Sequence, residues 1–409
     1  MKIKLQNIGI IEEADINIEG ITLIAGQNDS GKSTVGKVLY SIIKGFNQNI
    51  NLFLDEKNNR IIYRYQDILK ELKKNVSIDI TEFQTKEISL EWFEKIEKTI
   101  KLESTAEDSK KALSDSLRML KLYFNVEYNT IEQKKDEITN WLRSEIATLH
   151  NIFNTDAYSI IEIEDLEGNA KIKQWFKEIN FYILELDNNL ETYFKEAYFI
   201  ESPAIIDDSL QRFVGKDSLQ LHSRNRQEEL AKSLSNPLST NISDYSTIYR
   251  EISEIINGEI TIDLLQGVKY KKNEQEINIK NTAVGIKSFG LIQLLLKNNR
   301  LNNRTLLIID EPEVHLHPTW QVKYAEILVK LSKDFDIPMV LTSHSPYFIE
   351  AIEAYSKKNS YENSTNFYFA KKNEDGLSSK IIDVTKDITP ILSSISDAFY
   401  KIQDINNED

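Results

Sequence analysis

The chain has 409 residues, 41% of them hydrophobic, with a net charge of −14 and no cysteine. That length supports a buried core and about two or three structural units, in series or one inserted in another. The negative charge disfavours indiscriminate binding to phosphate backbones, and the missing thiols exclude a disulfide framework and thiolate metal ligation.

The chain opens MKIKLQNIGIIEEADINIEG, without the continuous apolar stretch of a secretory leader. No apolar run approaches the ~18–20 residues needed to span a bilayer. A soluble, cytoplasmic protein with no membrane partner is expected. Ile3 and Leu5 alternate with lysines, residues 14–18 alternate again, and Gly20 closes a turn. Residues 21–25 are almost wholly apolar, as a strand covered on both faces requires. A glycine loop follows. Val35, Val38, Leu39, Ile42 and Ile43 then recur at helical spacing.

From 47 to 195 the chain is rich in Lys, Glu, Asn and Ile, with no proline and Gly168 as its one glycine. Residues 90–102, 112–124 and 136–149 have helical periodicity, no heptad persists, and strand content is expected around 76–80 and 160–163. The segment reads as a mainly helical insertion between two parts of one unit, 1–46 and 196–409. In the second part, residues 197–200 read as a strand re-entering the core and 205–257 as mostly helix. Residues 259–279 read as a hairpin, 286–297 as an apolar helix, 306–309 as a buried strand and 322–331 as a helix. Another strand is predicted at 339–342, then strands at 366–370 and 380–384 around a turn at Gly376, and a final helix.

Gly26-Gln27-Asn28-Asp29-Ser30-Gly31-Lys32-Ser33 is a complete Walker A pattern, bounded by a buried strand and a helix start. Its glycines let the chain curl so that backbone N–H groups, including those of Asn28, Ser30 and Thr34, face phosphate oxygens. Lys32 neutralises the β and γ phosphates and Ser33 offers a hydroxyl to Mg²⁺. Residues 306–309 followed by Asp310-Glu311 read as a Walker B strand. Asp310 holds Mg²⁺ directly or through water, and Glu311 polarises the attacking water as general base. His344, just past another buried strand, is placed to contact the γ-phosphate or that water. The expected cofactors are ATP and Mg²⁺. Glu313, His315 and His317 sit at loop spacing with no third strong ligand, which suits the wall of the nucleotide site or a subunit contact better than a metal site of their own.

Basic stretches at 269–272, at Arg224 and Arg226, and at Arg300 and Arg304 leave nucleic-acid contact open on a local face.

The segment Asp310-Glu311-Pro312-Glu313 through Leu316-His317-Pro318, followed by Thr342-Ser343-His344-Ser345-Pro346, resembles the ABC-class ATPases of the overcoming-lysogenization-defect (OLD) group. The opening 8–16 is similar to that group too. The resemblance covers roughly 1–45 and 197–400. It implies an α/β ABC-type P-loop ATPase head, a mixed sheet with flanking helices. It also implies a homodimer or higher oligomer in which the signature helix of one copy closes the ATP site of another. The matching signature segment is 281–288, with Gly285 and Lys287 as nucleotide contacts and Thr282 or Ser288 supplying a hydroxyl. It departs from the full Leu-Ser-Gly-Gly-Gln form, which points to slow or partner-dependent hydrolysis. Gln66 and Gln84 are candidates for the Q-loop. The stretch after His344 is too short for the TOPRIM nuclease that OLD proteins append. The chain is therefore similar to stand-alone ATPases of anti-phage systems such as Septu, with a separate effector, expected to be a nuclease. The alternatives are an SMC-like DNA-repair ATPase, which needs long heptad arms, a transporter subunit, which needs a fuller signature, and a non-hydrolysing ATP-gated scaffold.

Overall fold

The computed structural model describes residues 1–47, 65, 68, 70, 93–98, 107–124, 130–145, 159–164, 171–177, 180–186, 194–207, 226–235, 246–263 and 267–396. Two compact units are present, one of residues 48–133 and one of residues 1–47 with 134–409.

The larger unit begins with an antiparallel pair, β1 (Lys2–Ile8) and β2 (Ile11–Asn17), leading into β3 (Ile21–Gly26), buried along its whole length. Helix α1 (Lys32–Asn47) follows the glycine loop and buries Val35, Val38, Leu39, Ile42 and Ile43, the stripe its spacing predicts. In the smaller unit α2 (Glu107–Phe124) buries Leu113, Leu117 and Leu120, and residues 93–98 are helical. Helix α3 (Thr130–Glu145) enters the larger unit and buries Ile138, Trp141 and Leu142.

The stretch 47–195 holds more than helix. Strands β4 (Ser159–Glu164), β5 (Lys171–Lys177) and β6 (Asn180–Leu186) stand within it and join the main sheet through β4, antiparallel to β1. Residues 159–164 alternate buried and half-buried, and they coincide with the strand expected around 160–163. β5 is a mixed stretch, KIKQWFK, without sustained alternation, and β6 a short apolar and aromatic run, NFYILEL, lengths at which periodicity does not separate strand from helix. The strand expected at 76–80 lies outside the described residues.

Strand β7 (Glu196–Ile200) re-enters the core, followed by α4 (Arg226–Ser235) and α5 (Ser246–Ile256). The expected hairpin is a three-stranded sheet of β8 (Glu259–Asp263), β9 (Gly267–Lys272) and β10 (Gln275–Asn278). Then come α6 (Val284–Lys297), β11 (Thr305–Asp310), α7 (Pro318–Phe335), β12 (Met339–Ser343), α8 (Pro346–Lys358), β13 (Thr365–Lys372) and β14 (Ser379–Asp383); residues 389–396 are helical. Among the described residues the main sheet has eleven strands in the order β6-β5-β4-β1-β2-β14-β13-β3-β12-β11-β7. Its centre, from β13 to β7, is parallel and buried on both faces, which is why those strands read as near-continuous apolar runs. One face packs on α1 and α3; the other packs on α5, α6, α7 and α8.

Helices α1 and α3 meet at Gly45, where an added Cβ would lie 2.4 Å from the Ile138 Cα. A side chain there must push backbone aside. Gly45→Ala is expected to lower stability by about 1–3 kcal/mol, the usual cost of overpacking. A smaller drop in urea midpoint, with unchanged slope, would show the two helices free to part.

Among the described residues no helix is long and apolar enough to cross a membrane.

Candidate active site

The parallel centre of the sheet ends in one row of loops, the position at which open α/β sheets bind ligands. β3 delivers the glycine loop, β11 delivers Asp310 and Glu311, and β12, hydrogen-bonded between them, delivers His344. An open cleft of about 390 Å³ is lined by the loop from Asn28 to Thr34, by Glu311, and by Gly9 and Ile10 of the β1–β2 turn.

The glycine loop is tightly bound to its surroundings. Gly31 has φ +83°, and a Cβ on it would lie 2.6 Å from the Ile11 side chain, so both conformation and space call for glycine. Ser30 Oγ donates to the Gln27 carbonyl at 2.8 Å, and Ser379 Oγ donates to the Ser30 carbonyl at 2.8 Å. Lys32 is 4% exposed. Its ammonium donates to the carbonyls of Gly26 (3.0 Å) and Gln27 (2.7 Å), neutral acceptors within the loop itself. Burial lowers the Lys32 pKa, opposed by the carboxylates of Glu311, Asp310 and Glu313. A buried cation whose hydrogen bonds go to neutral carbonyls, in a glycine loop at a helix start, fits the phosphates of a nucleotide.

Ser33 Oγ donates to Asp310 Oδ1 at 2.9 Å, and Thr342 Oγ1 donates to the same oxygen. These are hard oxygen groups on three adjoining elements, the donor chemistry Mg²⁺ requires. Ser33 and Asp310 would hold the ion, which would draw charge from the phosphates. Thr342 was not anticipated from sequence as an Asp310 partner; its signal was its place two residues before His344 in the parallel neighbour of β11.

Glu311 turns the chain at φ +49°, an uncommon conformation for a non-glycine residue. Its N–H donates to the Thr342 carbonyl (3.2 Å) and to Thr342 Oγ1 (3.1 Å), which holds the turn. The Glu311 carboxylate lies 3.3 Å from His344 Nδ1, and Glu313 Oε1 lies 3.5 Å from the same atom. With the side chains 33% and 42% exposed, Glu311 and His344 can both reach a ligand in the cleft.

Glu313 performs a different task. Its side chain is 3% exposed, and Oε1 accepts from Ser343 Oγ (2.7 Å), His344 N (2.8 Å) and Ser345 N (3.2 Å). Burial raises its pKa, and the Ser343 and His344 bonds oppose the rise. Gln321 completes the brace: Nε2 donates to the Leu316 carbonyl and Oε1 accepts from Ser345 Oγ at 2.6 Å. The acid loop after β11 therefore fixes the histidine loop after β12. His317 caps α7 by accepting from Thr319 N at 3.3 Å, and His315 lies in the turn before it with φ +66°. Glu313→Ala would leave Ser343 Oγ and His344 N without their acceptor, while Ser345 N keeps Ser343 Oγ at 3.1 Å, and is expected to cost about 3 kcal/mol. A urea midpoint matching the wild type would remove Glu313 from this role.

Gly26, Asn28, Ser30, Gly31, Lys32, Ser33, Thr34, Asp310, Glu311 and His344 are thus brought to one edge. Gly285 and Lys287 do not line the cleft. Gly285 packs on Leu316 and Trp320, and Lys287, buried, pairs with Asp207 of its own chain at 2.7 Å. Thr282 Oγ1 donates to the Ile279 carbonyl at 2.7 Å, and Ser288 Oγ to the Val284 carbonyl at 3.3 Å. Gln66 and Gln84 lie outside the described residues.

A glycine loop and an acid-bearing strand one β-strand apart, with the strand between them delivering a histidine, define an α/β P-loop ATPase head. The family comparison places the chain further. A family model described as AAA ATPase domain matches residues 1–349, and the chain belongs to that family. It is similar to the Retron Vc95 probable ATPase of Vibrio cholerae serotype O1 biovar El Tor, 22% identical over 86% of this chain and 72% of that protein. It is also similar to the Retron Ec83 probable ATPase of Escherichia coli, 26% identical over 48% of this chain and 36% of that one. Among solved structures, the SMC head domain from Thermotoga maritima aligns over 94% of this chain and 98% of its own at 11% identity and a TM-score of 0.41.

Proposed function

We propose that this chain hydrolyses ATP with Mg²⁺ and works as the regulatory or sensor subunit of a bacterial anti-phage defence complex. In this reading a second copy completes the ATP site and a separate effector, a nuclease, carries out the response. The observation that carries the hydrolysis reading is Glu311 on the cleft wall, one position past an Asp310 already bonded to Ser33, with His344 Nδ1 3.3 Å from the Glu311 carboxylate. Glu311 takes a proton from the attacking water, His344 holds the γ-phosphate or that water, and Lys32 and the loop amides stabilise the charge that moves onto the leaving oxygens.

The need for a second copy is supported by the orientation of the signature segment: Gly285 and Lys287 of α6 line no wall of the cleft, and Lys287 pairs with Asp207 instead. The defence role and the OLD kinship rest on the motifs at 310–318 and 342–346, and the retron association of the two similar proteins is consistent with an ATPase serving a larger assembly.

The test is affinity capture of tagged Glu311→Gln protein, loaded with ATP and Mg²⁺, from its native host. Recovery of a second copy together with a nuclease supports the assembly. Recovery of a membrane permease, or of a lone monomer in every nucleotide state, would sink it.

A further inference from the structure

The cleft is short of positive charge for a polyanion. Among the described residues that line it, Lys32 is the one cation, set against the carboxylates of Asp29 and Glu311. Asp29 stands in the glycine loop at φ +56°, with its side chain 83% exposed. It is an acid on the wall of a cleft read as a phosphate site, and an uncompensated carboxylate there repels a polyphosphate.

A further cation stands behind that acid. Lys372 ends β13, which runs parallel to β3 with Ala370 level with Gly26. Side chains alternate along β13: Phe367 and Phe369 pack in the core under α5 to α8, and Tyr368 and Ala370 in the core on α1. Lys372, two residues past Ala370, therefore turns to the α1 face, where the glycine loop opens into α1. Its ammonium lies 3.7 Å from the Asp29 carboxylate. The backbone beneath it is fixed to the loop. Lys372 is level with Ser379 of β14, whose hydroxyl donates to the Ser30 carbonyl at 2.8 Å. Burial lowers the Lys32 pKa, and the Lys372 ammonium is near enough to add to that fall.

We propose that Lys372 is a second phosphate-binding cation of the cleft, which turns from Asp29 to the phosphates when a nucleotide binds. The proposal rests on the reading of the cleft as a nucleotide site. The exchange costs little. An exposed ion pair contributes little to stability, whereas a charge-assisted bond to a phosphate is among the strong ones. A lysine's flexible four-carbon stem lets the ammonium swing while the strand stays in place. The two lysines divide the work: Lys32 is committed to the carbonyls of its own loop, and Lys372 is held by a carboxylate that a phosphate can displace.

The test is the affinity of a non-hydrolysable ATP analogue with Mg²⁺, and of inorganic tripolyphosphate, for wild type, Lys372→Met, Asp29→Asn and the double variant. Methionine keeps the apolar stem and removes the charge. Lys372→Met is expected to weaken both probes by about tenfold or more, the usual effect of a hydrogen bond from a charged group. Asp29→Asn, which removes the competing carboxylate, should bind both at least as tightly as wild type. The double variant should be as weak as Lys372→Met. Wild-type affinity in Lys372→Met would overturn the proposal. So would a double variant restored to wild type, because Lys372 would then act only by neutralising Asp29. A weakened analogue beside unchanged tripolyphosphate would put Lys372 on the base or ribose and overturn the phosphate role. No binding of either probe by the wild type would overturn the parent reading and this one with it; failure of the variants alone leaves the parent reading standing.

Discussion

Lys32→Ala is expected to abolish nucleotide binding, weakening it by about a hundredfold or more. A hydrogen bond from a charged group contributes about 1.5–3 kcal/mol, and a buried ammonium makes more than one such bond to a polyphosphate. Roughly 2.7 kcal/mol corresponds to a factor of one hundred. The fold should survive the change. Lys32 is buried against neutral carbonyls and burial depresses its pKa, so its charged form is less favourable in the folded chain than in the unfolded one. That cost is present at neutral pH and disappears as the pH rises through the lowered folded value. Alanine removes it, offsetting the loss of the two carbonyl bonds. Titration calorimetry with ATP and a urea melt together decide the point: undiminished binding refutes the phosphate role of the loop.

Glu311→Gln should separate binding from turnover. The amide keeps the size of the side chain and cannot accept a proton from water. General-base catalysis contributes about 10²–10⁴-fold, and phosphate release at saturating Mg²⁺-ATP should fall by about that much. ATP affinity should stay within about threefold, because Lys32 and the loop amides carry it. With product formation blocked, the ATP-bound oligomer should persist, visible as a nucleotide-dependent shift in sedimentation. Turnover equal to the wild type would remove Glu311 from the mechanism.

Much of this site is legible in the sequence, because each part is local. Residues 21–33 read as strand, glycine loop and helix start, and β3 and α1 follow that pattern. The apolar run at 306–309 ending in acids, and the one at 339–342 ending in Ser343-His344, became neighbouring parallel strands. What sequence could not reveal depends on long-range contact. Glu313 read from sequence as part of the nucleotide-site wall or of a subunit contact; its bracing task appears only when β12 lies beside β11 and presents three donors to its carboxylate. Lys287 suggested a phosphate contact by its place in the signature segment, whereas within one chain it pairs with Asp207, 80 positions away. β5 and β6 escaped because the mixed stretch KIKQWFK and the short apolar run NFYILEL suit a strand or a helix turn equally, and only pairing onto β4 decides between them.

The arrangement also explains how one edge can serve binding and chemistry at once. In the proposed reading the loop after β3 would bind the phosphates and the acids after β11 would act on metal and water, while the histidine after β12 is fixed to the β11 loop through Glu313 rather than to the glycine loop. A change in the acid loop after β11 therefore moves the histidine loop after β12, and the reverse.

The central claim is that Gly26–Ser33, Asp310, Glu311 and His344 form one ATP site. A structure of Glu311→Gln with ATP and Mg²⁺ tests it most directly. It should show the phosphates in the glycine loop, the metal on Ser33 and Asp310, His344 at the γ-phosphate, and residues 282–288 of a second copy closing the cleft. Nucleotide bound away from the loop, or a γ-phosphate out of reach of both position 311 and His344, would contradict it.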